Sequence, residues 1–239
     1  MRFAEPHAES STPTKLFDLV DFSPVAEGIR YIRGHRTLLP AVFAKAGELM
    51  VGPSWVIFTV MGAREFAVHW HGIDSGRGAM LGMSILLGGR GLGALVGPLI
   101  SARWAARSAH RLRLGILFGY LTIALGYGML GLGGSVWAAA ACAMLAHMGG
   151  STVWVFSTTI LQMNTEDRFR GRVFAADLGL SSLSFALTAY LAGILLDAGF
   201  SARSVASGTG CVMLLPAALL AMALRGNRAR EQSTGPASQ

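Results

Sequence analysis

Six stretches, near residues 38–62, 79–101, 112–133, 136–161, 173–196 and 204–224, stay apolar for about twenty residues or more. A helix rises about 1.5 Å per residue and the hydrocarbon core of a bilayer is about 30 Å thick, so each stretch can cross a membrane. In lipid the backbone must satisfy its own hydrogen bonds, which makes such crossings helical. The expected fold is an all-α membrane protein of six transmembrane helices, forming one domain over 37–224. Composition excludes a soluble alternative. Hydrophobic residues make up 52% and charged residues 14%, whereas soluble domains carry roughly 25% charged residues. So few charges cannot cover a water-facing surface. Glycine, at 31 of 239 residues, exceeds its usual share of about 7%, which suits helices packed closely in lipid.

The connections give an independent test, because Lys and Arg gather on the cytoplasmic side of membrane proteins. One set of connections holds Arg2, Lys15, Arg30, Arg33 and Arg36 before the first span. It continues with Arg103, Arg107, Arg111 and Arg113 after the second, Arg168, Arg170 and Arg172 after the fourth, and Arg225, Arg228 and Arg230 after the sixth. The opposite set holds only Arg64, Arg77 and Arg203. A multi-pass protein of the cell membrane with both termini cytoplasmic is expected. The net charge of +7 then reflects topology rather than nucleic-acid binding, since the arginines fall in clusters between apolar blocks and not along one face.

Ahead of the spans, Ser23 is placed to cap a helix beginning at Pro24. Val25, Ile29 and Ile32 share a face opposite Arg30 and Arg33, the pattern of a helix over 23–36 lying on the membrane surface. The leader 1–22 and the tail 225–239 are polar and expected to be disordered and cytoplasmic. No apolar core of signal-peptide length opens the chain. Cys142 and Cys211 lie within apolar stretches without metal-ligand spacing and read as packing residues.

Three segments, AEGIRYIRGHRTLL, GRGLGALVGPLI and LQMNTEDRFRGRVFA, resemble in order and spacing the second half of major facilitator superfamily transporters, nearest the drug and siderophore exporter-like branch. In that family an amphipathic linker leads into the seventh of twelve spans, and an RGRVF stretch opens the eleventh, as Arg170 to Phe174 opens the fifth span here. The resemblance covers roughly residues 24–224. It implies one half of that fold, proton-coupled efflux of a small molecule, and gating loops carrying Arg107, Arg111, Arg170 and Arg172. In the second connection, Ala102, Ala106 and Ala109 stand where the family pattern has glycine, aspartate and glycine, which removes the aspartate of the usual gating contact. Family members rock two six-helix halves about a central site. The implied partners are therefore the lipid bilayer, a small-molecule substrate and a second six-helix half or a second copy, with no nucleic acid.

Ionisable residues inside spans are the sharpest functional lead, since each costs about 2.5 to 3.5 kcal/mol at a helix centre on insertion scales. Four qualify: Lys45, Glu48, Arg90 and Asp177. Counted from the cytoplasmic ends, Glu48 and Arg90 lie roughly 15 Å deep and Lys45 and Asp177 about 7 to 11 Å deep. Depth matching predicts two cross-helix ion pairs. Either these groups line a substrate or proton pathway, with Glu48 or Asp177 taking up the proton and Arg90 holding an anionic group, or they are fixed pairs joining neighbouring helices.

Gly89, Gly93 and Gly97, and again Gly115 and Gly119, recur every four residues and predict close helix packing, with a sliding contact as the functional alternative. His69 and His71 flank Trp70 in an outer loop, an interfacial anchor rather than a metal site. His147 reads as a hydrogen-bonded packing residue or a proton relay, and Gln162 and Asn164 as helix-end partners. Trp154, Phe156, Phe185 and Tyr190 offer apolar contacts to a substrate, to lipid or to neighbouring helices. No Walker loop, HExxH or nucleophile elbow occurs, so no enzyme, ATP drive, metal or cofactor is expected. The second reading of the chain is a truncated membrane fragment that inserts without transporting.

Overall fold

Apolar stretches of this length become helices in the computed structural model, which describes residues 22–35, 38–69, 71–72, 74–105 and 108–233, with side chains through Arg225. Eight helices follow in chain order: α1 (Ser23–Gly34), α2 (Leu39–Ala46), α3 (Val51–Arg64), α4 (Ser75–Ala105), α5 (Ala109–Leu130), α6 (Val136–Asn164), α7 (Asp167–Asp197) and α8 (Ala202–Ser233). No strand occurs among the described residues. With α2 and α3 taken together, six helical segments are long and apolar enough to span a membrane. The leader before Phe22, Arg36, Trp70, Arg107 and the end of the tail lie outside the described residues.

Three boundaries differ from expectation. Ser23 is the first helical residue rather than the cap, which is Phe22. The backbone of α8 stays helical to Ser233, past the expected end at Leu224 and into the tail expected to be disordered. The largest difference lies in the first span, which is not one helix but two, parted at Gly47 to Met50. Pro53, three residues into α3, has no N–H to donate, and its ring collides with the carbonyl that a continuous helix would place at Leu49. Gly47 admits the turn because a side chain there would come within 2.8 Å of the Phe43 carbonyl and 2.9 Å of the Tyr120 hydroxyl.

The break frees backbone carbonyls deep in the bundle, and side chains from other helices take them up. Glu48 N–H donates to Lys45 instead of Ala44, and the Tyr120 hydroxyl of α5 donates to the Ala44 carbonyl. The Ser184 hydroxyl of α7 donates to the Ala46 carbonyl at 2.7 Å. Irregular backbone at membrane depth persists only with such partners.

Helix α6 lies at the centre, packed against α4 on one side and α5 on the other; α3 contacts α4 and α7, and α5 contacts α8. The glycines on α4 set the first of these contacts. Any side chain at Gly89, Gly93 or Gly97 would meet the carbonyl oxygens of Ala140, Met144 and Met148 respectively, one turn apart along α6. On α5, Gly115 makes room for the Phe156 ring, and Gly119 for the Val153 side chain and the Gly149 carbonyl. Replacing Gly93 with leucine should therefore force the two backbones apart and lower stability by about 1–3 kcal/mol, the usual penalty of overpacking. A thermal melt of the purified protein in detergent measures this, and Gly91→Leu, where open space surrounds the glycine, serves as the matched control.

The two ends of the bundle are held differently. At the arginine-poor end, Arg203 at the start of α8 pairs with Glu65 after α3 at 2.6 Å. It also donates to the Gly133 carbonyl in the α5–α6 turn at 2.7 Å, and lies over the Phe66 ring. At the arginine-rich end, α1 lies against the start of α7. Arg172 pairs there with Glu27 at 2.7 Å, and Tyr31 stacks on Phe169 with centroids 4.5 Å apart.

Candidate functional site

The site lies where the broken span meets α6 and α7. Lys45 in the last turn of α2 and Asp177 on α7 form an ion pair through Asp177 Oδ2, buried to 3% and 1% exposure. The Trp154 ring of α6 lies 4.5 Å from the Lys45 ammonium, so the charge rests on a π face as well as on a carboxylate. Phe185 of α7 packs against that indole with centroids 6.2 Å apart. Asp177 Oδ1, the second oxygen of the carboxylate, has no hydrogen-bond partner among the described residues.

Glu48 lies in the break itself, 1% exposed. Its Oε2 also has no hydrogen-bond partner among the described residues, and Lys45 is within electrostatic reach. Gly150 of α6 makes room for it, because any side chain there would run into Glu48 Oε1 and the Met50 methyl group. The site thus holds two carboxyl groups and one ammonium buried together, with Tyr120 of α5 bordering the same turn.

The depth-matched pair of Glu48 and Arg90 is not formed. Glu48, in the interrupted stretch, lies against Gly150 of α6. The Arg90 guanidinium instead lies over the Trp55 ring of α3, 4.1 Å from its centroid. Arg90 joins a second polar cluster: Tyr127 and His147 meet at 3.5 Å, Phe58 packs edge-on to His147, and Ser54 and Arg90 interact with Tyr127. His147 is buried among these rings.

The remaining candidates scatter. Phe156 is buried against Gly115, and Tyr190 is exposed. Asn164 donates to the Ile160 carbonyl at the end of α6 at 2.8 Å. Arg111 donates to the Trp104 carbonyl at the end of α4, whereas Arg170 pairs with Asp167 at 2.7 Å and Arg172 with Glu27. Arg111 therefore ties α5 to α4 and Arg172 ties α7 to α1, while Arg170 pairs within α7. His69 and His71 are exposed, and no group of three His, Cys, Asp or Glu side chains suited to a metal occurs among the described residues. Cys142 is buried and Cys211 exposed, both as free thiols.

Tyr120 and Ser184 support the break at the site and Ser54 and Tyr127 the second cluster, yet sequence reasoning passed over all four. The available signal was a hydroxyl within an apolar span, which must find a partner when buried.

Fold and site define a multi-pass, all-helical membrane protein with ionisable groups buried at a break in its first span. The chain matches no model of a known protein family, no curated protein and no solved structure.

Proposed function

We propose that this chain is one half of a secondary transporter of the major facilitator type, exporting a small amphipathic molecule in exchange for protons. In this reading the arginine-rich end and both termini lie in the cytoplasm, and the membrane is that of the cell. One observation carries it: Glu48 is a buried carboxyl in a helix break, its Oε2 without a hydrogen-bond partner among the described residues, beside an ion pair that links α2 to α7. With two carboxyls facing one ammonium, one acid is left over to take up and release a proton when water reaches the break. Broken helices with polar groups near the bilayer midplane are where transporters place substrate and coupling-ion sites. Trp154 and Phe185 offer an amphipathic substrate its apolar contact.

A partner is part of the reading. Only 22% of the membrane stretch of α4 and 11% of that of α7 is buried within the chain, against 50% in the first span and in α5 and 61% in α6. Exposed small residues, Ser84, Gly88 and Gly91 on α4 and Ser182 and Ala186 on α7, suit close contact with another helix better than contact with lipid tails. A second six-helix half, or a second copy, would cover these faces and close the pathway.

The test is efflux of ethidium from vesicles containing the purified chain, with an inward proton gradient imposed. Gradient-driven efflux that rises with the square of protein density at low density supports a two-copy transporter, and efflux only after adding a second six-span chain supports a split one. Efflux no faster than from empty vesicles under both conditions leaves a membrane fragment that inserts without transporting.

A further inference from the structure

The arginine-rich end holds a hollow that the transport site does not use. Helices α1, α2 and α7 enclose a cavity of about 400 Å³, within the usual range for a small-molecule site of about 300–1,000 Å³. Val25 and Ile32 of α1, Val42 and Phe43 of α2, and Leu180 and Leu183 of α7 form its walls. Among the described residues Arg33 is the only charged or polar side chain that lines it.

Charge decides what such a hollow can hold. Glu27, the carboxylate on the same helix, is taken by Arg172. Among the described residues neither Arg33 nor Arg30, one turn before it, has a carboxylate partner. A neutral apolar ligand would leave the guanidinium unused, and a small soluble anion would leave the apolar walls unfilled. A ligand with a long hydrocarbon part and a negative head satisfies both. The amphipathic α1 packs against α7 at the arginine-rich end, and amphipathic helices of this kind lie at the head-group level of a membrane. The hollow is also held open: Arg172 and the Tyr31–Phe169 stack fix α1 to α7, and Gly179 contributes open space in place of a side chain.

We propose that this groove binds an anionic phospholipid, with one acyl chain between α1, α2 and α7 and the head-group phosphate on Arg33. The site stands on the membrane fold alone and does not require transport.

Native mass spectrometry of the full chain in detergent tests it, with phosphatidylglycerol and phosphatidylcholine of matched chains added at equal concentration. Phosphatidylglycerol should be retained about tenfold more than phosphatidylcholine, since each nearby arginine contributes to holding an anionic lipid. Arg33→Gln should bring the two lipids level. Gly179→Leu, whose new side chain enters the hollow without meeting a neighbour at its first carbon, should reduce retention of phosphatidylglycerol at an unchanged melting temperature. Equal retention of both lipids by the unmodified chain, retention unmoved by both variants, or displacement of the lipid by free glycerol phosphate would overturn the proposal.

Discussion

Glu48→Gln stops proton-driven ethidium efflux, lowering it to the rate of empty vesicles, and leaves the protein folded and inserted. Glutamine keeps the shape of the side chain in the space opposite Gly150 but cannot exchange a proton at membrane depth. The fold does not depend on the charge, since Glu48 Oε2 makes no hydrogen bond within the described bundle that its loss would break. Circular dichroism and size-exclusion behaviour should therefore match the unmodified chain. A further measurement separates coupling from general damage: exchange of labelled for unlabelled dye without a proton gradient persists in this variant, because substrate binding and the conformational step do not need the acid. Efflux that continues undiminished removes Glu48 from the mechanism. Loss of exchange as well would assign it to substrate binding instead.

Those expectations depend on a feature that hydropathy does not reveal. Gly47, Glu48 and Pro53 were visible within the first apolar stretch, but membrane helices tolerate glycine and proline, so their presence does not distinguish a kink from a break. What makes a break stable here is long-range: Tyr120 and Ser184 accommodate the freed carbonyls, and neither lies near them in the chain. The other spans were legible because each has about twenty apolar residues between clear breaks, and their expected ranges fall within α4 to α8 apart from a few residues at the end of the third.

Depth along a helix axis is a sequence quantity, and facing direction is not. Lys45 and Asp177 share a depth and do meet. Glu48 and Arg90 share one too, yet the first lies against Gly150 of α6 while Arg90 rests on Trp55. Counting residues supplies one coordinate of three. The glycine ladder of α4 was more informative, since a repeat every four residues specifies a face as well as a depth, and that face is the one laid on α6.

The Lys45–Asp177 pair makes the second large effect calculable, and magnitudes decide which variant suffers. A neutral hydrogen bond between membrane helices contributes about 0.6 kcal/mol on average. An unpaired charge near a helix centre costs about 2.5 to 3.5 kcal/mol, and breaking a buried pair by removing one partner about 3 to 5 kcal/mol. Lys45→Met strands the Asp177 carboxylate at 1% exposure with Glu48 nearby as a second acid, so its loss should approach the upper figure. Asp177→Leu leaves the ammonium with Glu48 within electrostatic reach and the Trp154 face beneath it, so its loss should be about 2.5 kcal/mol. Replacing both, Lys45→Met with Asp177→Leu, removes the charges together and should recover most of the stability, because an apolar pair of similar volume needs no compensation in this interior. Unfolding in mixed detergent, followed for the four proteins of this double-mutant cycle, gives the coupling directly. Single losses that simply add in the double variant would mean the two groups stabilise the bundle independently, and the pair would then not be what holds α2 to α7.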